Sequence, residues 1–233
     1  MSRHLAIGDI HGCRRAFEAL LEIIAPASED TIVTLGDYVD RGPDSAGVIE
    51  LLLELDRSLS LVPLRGNHEI MMLDSRESNS WRESWLGYGG AETIASYGVD
   101  RSADYAFDAI PVAHLDFLEN RLSPFWETDS HIFVHAFAEA NKPMSAQPDS
   151  SLYWRKFVNP EPHASGKTVV CGHTPQRDGV PGRSDGWVCI DTFVYDDSGW
   201  LSCLDTGSET VWQANEAGRT RHFQLGEEPG QST

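Results

Sequence analysis

The segment Thr31-Ile32-Val33-Thr34-Leu35-Gly36-Asp37-Tyr38-Val39-Asp40-Arg41-Gly42-Pro43 changes character halfway along. Its first five residues are a β-branched run of the kind that favours a strand. The run stops at a glycine and gives way to charged and turn-forming residues. Pro43 then opens a helix, as a proline with its φ already fixed does at a first helical position. Val48, Leu51, Leu52 and Leu55 follow at helical spacing. The same sentence is written upstream: an apolar run at residues 5–7, then Gly8-Asp9-Ile10-His11-Gly12, then Phe17, Leu20, Leu21 and Ile24 on one helical face. A third strand, residues 59–64, leads into Gly66-Asn67-His68-Glu69. Strand, helix, strand, helix, strand predicts βαβ units in a parallel sheet. The polar residues gather at the strand C-termini, where open α/β sheets place their sites.

Beyond residue 70 the pattern changes. Residues 74–123 read as a mainly helical insert, with Trp81, Trp85 and Tyr88 ahead of Gly89-Gly90 and a second helical stretch over 111–122. Residues 125–127 and 131–134 predict a hairpin across 128–130. Residues 136–165 contain four prolines and little periodicity, which reads as a long functional loop or cap. Short strands are expected at 168–171, 187–190, 199–204 and 210–212. They suggest a second, largely antiparallel sheet after the parallel one. The whole predicts one α/β domain over residues 1–225 and a disordered tail over 226–233.

The chain has 233 residues, 36 acidic and 18 basic, for a formal charge of −18. That length fits one sizeable core. Few Lys and Arg argue against stable nucleic-acid binding, because each phosphate contact needs a cation. An anionic substrate is still compatible, since bound divalent ions reverse the local field. No apolar run reaches the roughly 20 residues a membrane span needs. The first strand follows Met1 within a few residues, so no cleaved leader is expected and the expected location is the cytoplasm. Cys13, Cys171, Cys189 and Cys203 contain no C-x-x-C pair and read as small buried residues in a reducing compartment.

Two further segments join the three strand ends: His135, just after a strand, and Gly172-His173-Thr174-Pro175. In extended backbone, residues i and i+2 face the same way, so Asp9 and His11 can grip one ion. Glycines before Asp9, Asp37, Asn67 and His173 permit close backbone approach. Carboxylate, imidazole and amide oxygen without thiolate suit Mn²⁺, Fe or Zn²⁺. Six candidate ligands exceed what one catalytic ion needs, and two ions sharing Asp37 would use them. Two metals about 3.5–4 Å apart are a device for hydrolysing phosphate esters. Taken singly, each motif could equally be a turn glycine, a helix cap or a core histidine; together, and in this order, they read as a site.

These segments resemble the GDxHG, GDxVDRG and GNHE signature of the phosphoprotein phosphatase branch of the calcineurin-like metallophosphoesterases, at every fixed position. Asp9, Asp37 and Asn67 are about thirty residues apart, as in that family. The resemblance extends through Val134-His135-Ala136 and the GHTP segment to Ile190-Asp191-Thr192, and small bacterial and phage members look similar through Trp85 to Gly98. It implies an α/β/β/α sandwich of two mixed sheets flanked by helices. It also implies two divalent ions, Mn²⁺ first and Fe or Zn²⁺ as alternatives. Asp9, His11 and Asp37 would hold one ion, and Asp37, Asn67, His135 and His173 the other. His68 would be the general acid, with Asp40 holding its ring, and Arg41 would bind phosphate oxygens. A second family arginine is assigned to Arg155, although Lys156 stands beside it. The implied chemistry is in-line attack by metal-bound hydroxide on phosphoserine or phosphothreonine, with phosphotyrosine also admitted. The expected partner is thus a phosphorylated protein or small phosphoester, and nothing demands more than a monomer.

Some features depart from this pattern. Ala136-Phe137 follows His135 where many relatives have two glycines, and Phe193 follows Asp191-Thr192 in place of another. Symmetrical dinucleoside tetraphosphatases share GDIHGC and the Gly42-Pro43 element, but usually lack the aspartate at position 40 and carry GNHD. Diadenosine tetraphosphate is therefore the alternative substrate. A third reading, a phosphopeptide-binding module without turnover, predicts a lost ligand or a missing His68, and none is lost. No cysteine shows the C-x₅-R spacing of a phosphatase nucleophile. Gly166-Lys167-Thr168 imitates a phosphate loop, but Glu161 stands where its first glycine belongs. His4, His114, His131, His163 and His222 match no motif. Trp81, Trp85 and Trp154 read as packing rather than as a base-stacking platform.

Overall fold

A computed structural model describes residues 2–100 and 106–230. The first half alternates as the periodicity predicts: β1 (His4–Ile7), α1 (Arg14–Ile24), β2 (Thr31–Thr34), α2 (Ser45–Ser58) and β3 (Ser60–Pro63). Helix α2 starts two residues later than Pro43 suggests. Asp44 caps it, its carboxylate accepting the Gly47 N–H at 2.8 Å, a better stop for the first turn than proline alone. Helix α3 (Asn67–Asp74) begins immediately after Gly66, so the third motif is itself the first turn of a helix. The insert continues as α4 (Asn79–Trp85), a wide turn through Leu86–Gly90, α5 (Ala91–Ser96) and α6 (Val112–Asp116).

The hairpin forms as predicted, from β4 (Phe125–Glu127) and β5 (His131–Val134). The prolines of the long loop leave room for a 3₁₀ turn, Met144–Ala146, and one short α-helix, α7 (Asp149–Trp154). The remaining strands are β6 (Thr168–Cys171), β7 (Gly182–Ser184), β8 (Trp187–Cys189), β9 (Leu201–Asp205), β10 (Thr210–Ala214) and β11 (Thr220–Gln224). Of the tail, residues 226–230 carry no regular element, and residues 231–233 lie outside the described ones.

The late strands do not make an antiparallel sheet of their own. Strands β9, β10 and β11 extend the first sheet, in the order β11-β10-β9-β1-β2-β3, with β9 antiparallel to β1 through Leu5↔Asp205. The second sheet, β4-β5-β6-β8-β7, is parallel at its centre, β5 to β6 to β8. Both sheets are mixed. Sequence shows each strand's apolar residues but not its neighbour, and pairing across 200 residues is decided by which faces must be covered.

Strand alternation sorts the core into three layers. Leu5 and Ile7 face α1 and α2, while Ala6 between them faces the other sheet. Phe133, Val170 and Val188 meet Ala6, Val33 and Leu204 across the inter-sheet core. Ile132, Val134, Val169 and Cys171 turn to the outer face, covered by Phe137, Met144, Leu152 and Trp187. The outer cover of the second sheet is the 136–165 loop with α7, a thinner layer than the helices opposite. All four cysteines are free and buried. No helix among the described residues is long and apolar enough to cross a membrane.

Candidate active site

The loops after β1, β2, β3, β5, β6 and β8 meet at one end of the sandwich. Six non-glycine residues there adopt left-handed backbone: His11, Asp37, Asp40, Arg41, His173 and Phe193. Such conformations are costly and persist only where surrounding contacts impose them. Glycines make room for the neighbouring loop. A Cβ on Gly66 would sit 2.1 Å from Asp37 Oδ1, and one on Gly172 would sit 2.0 Å from Asp9 Oδ1. Glu69 fastens two loops together, accepting backbone N–H groups from Asp37 at 2.9 Å, Tyr38 at 2.7 Å and Gly66 at 2.9 Å.

Three histidines are oriented by backbone carbonyls. His11 Nδ1 donates to Val39 O at 3.0 Å, His135 Nδ1 to Leu35 O at 2.8 Å, and His173 Nε2 to Trp154 O at 3.1 Å. Each bond fixes the tautomer and leaves the other ring nitrogen as a bare lone pair. Those lone pairs converge on oxygen acceptors. His11 Nε2 is 3.5 Å and His135 Nε2 3.4 Å from the Asp37 carboxylate, and Asn67 Oδ1 lies 2.9 Å from both His135 Nε2 and His173 Nδ1. The ligand atoms form two triads through Asp37, His11–Asp37–His68 and Asp37–His135–His173, each within 4.8 Å. Burial lowers the pKa of His11 and His135 and brings His173 down to about 4, so all three are neutral at pH 7. Burial also pushes Asp9 well up and raises Glu69 and Asp191 to about 7, each further by a neighbouring carboxylate. Asp37 goes the other way, held below the usual carboxylate range because the surrounding histidines outweigh its burial. Unprotonated nitrogens aimed at carboxylates, with backbone carbonyls behind them, are the donor set a divalent cation needs. The residues fit metal binding. Asp9 stands outside both triads, its carboxylate taking the His173 backbone N–H at 2.9 Å.

A second group lies beside the first. His68 Nδ1 donates to Asp40 Oδ2 at 2.6 Å, with both side chains buried. Burial works against protonated His68, but Asp37 and Asp40 outweigh it and raise its pKa. Burial likewise raises that of Asp40 despite the groups donating to it. Arg41 reaches His68 Nε2 at 3.1 Å, His11 Nε2 at 3.2 Å and the Tyr195 hydroxyl at 2.5 Å.

These groups open into a cleft of about 760 Å³. Trp81, Tyr88 and Trp154 are exposed on its walls, and Lys156 and Arg177 add positive charge. Arg155 is not brought there. Helix α7 ends at Trp154 and the chain runs on extended, so Trp154 and Lys156 face the cleft. Arg155 between them turns away, 4.0 Å over the Phe137 ring. Trp85 is buried, whereas Trp81 and Trp154 are exposed. Glu69, Tyr195 and Arg177 carry no functional role in the sequence reading. Glu69 at the end of GNHE was the one visible signal among them.

Two mixed sheets with this donor set at their loop ends define a metallophosphoesterase. A family model described as calcineurin-like phosphoesterase matches residues 2–198, and the chain belongs to that family. Serine/threonine-protein phosphatase 1 of Salmonella typhimurium is 35% identical over 159 residues, 67% of this chain and 65% of that protein. The symmetrical bis(5'-nucleosyl)-tetraphosphatase of Wigglesworthia glossinidia brevipalpis is 44% identical over 71 residues, 30% of this chain and 25% of its own. The chain thus spans just under two thirds of the first relative and a quarter of the second. A crystal structure provisionally called a diadenosine tetraphosphatase superposes with TM-score 0.65 at 22% identity, covering 99% of this chain and 94% of that one, which shows a shared fold.

Proposed function

We propose that the protein is a two-metal phosphomonoesterase acting on phosphoserine and phosphothreonine in proteins. The observation that carries this reading is the buried His68–Asp40 bond of 2.6 Å. A serine or threonine alkoxide is a poor leaving group and needs a proton as the P–O bond breaks. An ADP leaving group is already stable as an anion and needs none.

Asp9, His11 and Asp37 would hold one ion and Asp37, Asn67, His135 and His173 the other, with manganese the first expectation. Bound there, the ions supply positive charge to the phosphoryl oxygens and acidify water. The chain's own residues do the rest. Asp40 keeps the His68 proton on Nδ1 and the ring fixed, so that protonated His68 presents Nε2–H to the leaving oxygen. Arg41, whose guanidinium lies against both His11 and His68, would clamp two phosphate oxygens in bidentate fashion. Lys156 and Arg177 on the cleft wall take the place given to Arg155 as a second cation. Four buried thiols suit a reducing cytoplasm.

One observation favours a dinucleoside polyphosphate instead. The exposed rings of Trp81, Tyr88 and Trp154 offer flat surfaces for bases beside three cations. The test is product analysis with the Mn²⁺-loaded protein, offered a phosphothreonine peptide and diadenosine tetraphosphate at equal concentration. Phosphate released mainly from the peptide supports the proposal. Preferential conversion of the dinucleotide to two ADP overturns it.

A further inference from the structure

Asp40 is fully buried, and a buried carboxylate stays ionised and aligned only with several donors around it. Besides His68, the side chains donating to it among the described residues are Trp85 and Thr93. Trp85 Nε1 lies 3.0 Å from Oδ1 and 2.9 Å from Oδ2, and the Thr93 hydroxyl is 2.7 Å from Oδ1. The same stretch holds the backbone. Thr93 Oγ1 accepts the Asp40 N–H at 2.8 Å, and the Gly89 carbonyl accepts the Arg41 N–H at 3.2 Å. Asp40 and Arg41 are consecutive left-handed residues, a conformation the loop does not keep unaided. All these contacts come from residues 85–93, which lie 45 to 53 positions further along the chain.

Packing does not require this chemistry. Trp85 is 1% exposed and Thr93 fully buried; valine would fill the space of Thr93, and phenylalanine most of that of Trp85, without a donor. We infer that α4, the following wide turn and α5 act as a clamp on the proton-delivering pair, with Trp85 and Thr93 as positioning residues that fix Asp40 against His68. The inference rests on the general-acid reading of His68 given above. Neither residue meets the reacting atoms. Without them Asp40 keeps one donor, and the His68 ring loses its fixed direction.

The metal-loaded enzyme is assayed on a phosphothreonine peptide, which leaves as an alkoxide, and on p-nitrophenyl phosphate, whose leaving group needs no proton. Trp85→Phe and Thr93→Val are expected to lower kcat on the peptide about tenfold or more, the effect of losing a hydrogen bond to a charged group. On the aryl ester the change stays within about threefold, and KM and bound metal are unaltered. Thr93→Ser, which restores the hydroxyl, recovers the peptide rate. Equal losses on both substrates overturn the inference, as does a Thr93→Ser enzyme as slow as Thr93→Val. If Trp85→Phe does not fold, the Thr93 pair decides alone. His68→Ala separates the two readings: no difference between substrates removes the general acid, and the clamp falls with it. Discrimination by His68→Ala without discrimination by the clamp variants removes the clamp only.

Discussion

The donor cluster around Asp37 and the His68–Asp40 pair are neighbours, yet they are built in opposite ways. In the cluster, backbone does the orienting: carbonyls of Val39, Leu35 and Trp154 set three ring tautomers, and Glu69 ties two loops through their N–H groups. In the pair, remote side chains do it, Trp85 and Thr93 reaching in from the helical insert. A backbone-built site tolerates changes elsewhere as long as the sheets form. A site held by side chains can be tuned, or lost, one substitution at a time.

The largest expected effect tests the first half of that contrast. Asp37→Asn removes the carboxylate common to both triads and should lower kcat on the order of 10³-fold or more. Elemental analysis should show loss of both ions, and retention of either would break the account of Asp37 as a bridge. His68→Ala comes next, with about 10²–10⁴-fold loss on alkyl phosphates and metal content kept. Metal loss in that variant would place His68 among the ligands, since its Nε2 lies 3.9 Å from Asp37.

The pair also has a pH signature. Raised by Asp37 and Asp40 against its burial, His68 keeps its proton above the ordinary imidazole range and gives it up as pH rises through that raised value. The basic limb of the kcat profile should therefore shift to lower pH in Asp40→Asn. Tyr195→Phe is a smaller change. It keeps the ring against His11 but deletes the hydroxyl that accepts from Arg41, and should raise KM by about threefold, the effect of a single hydrogen bond.

The smallest effect on activity lies far from both groups. Arg3 holds the Asp30 carboxyl down to about 2. A depressed carboxyl contributes stability above its unfolded value near 3.8, and that contribution fades as pH falls through about 2. Asp30→Asn should reduce the thermal midpoint at pH 7, narrow the gap between pH 7 and pH 3, and leave kcat unchanged.

Sequence carries the cluster well because its logic is local. Gly8-Asp9-Ile10-His11 and Gly36-Asp37 each sit at the end of a short apolar run, so a strand end and its polar turn are legible together. The pair is half legible. His68 and Asp40 stand in motifs, but nothing in residues 79–96 says that one tryptophan of two turns its N–H to a carboxylate. Arg155 shows the limit most plainly. Whether it or Lys156 enters the cleft depends on the phase of an extended strand leaving α7, and one residue of shift exchanges the two faces. The same limit applies to β9, β10 and β11. Their alternation is visible, but the sheet they join is set by β1, some 200 residues earlier.

The hydrogen bond from the His173 backbone to Asp9 spans 164 positions. During synthesis the first motif therefore emerges long before its counterpart exists, and contacts of such separation close late. The Asp37–His135–His173 triad is complete only once residue 173 has been made. A chain interrupted before β6 carries every member of the His11–Asp37–His68 triad but lacks His173, so the two halves of the donor cluster are completed about a hundred residues apart in synthesis.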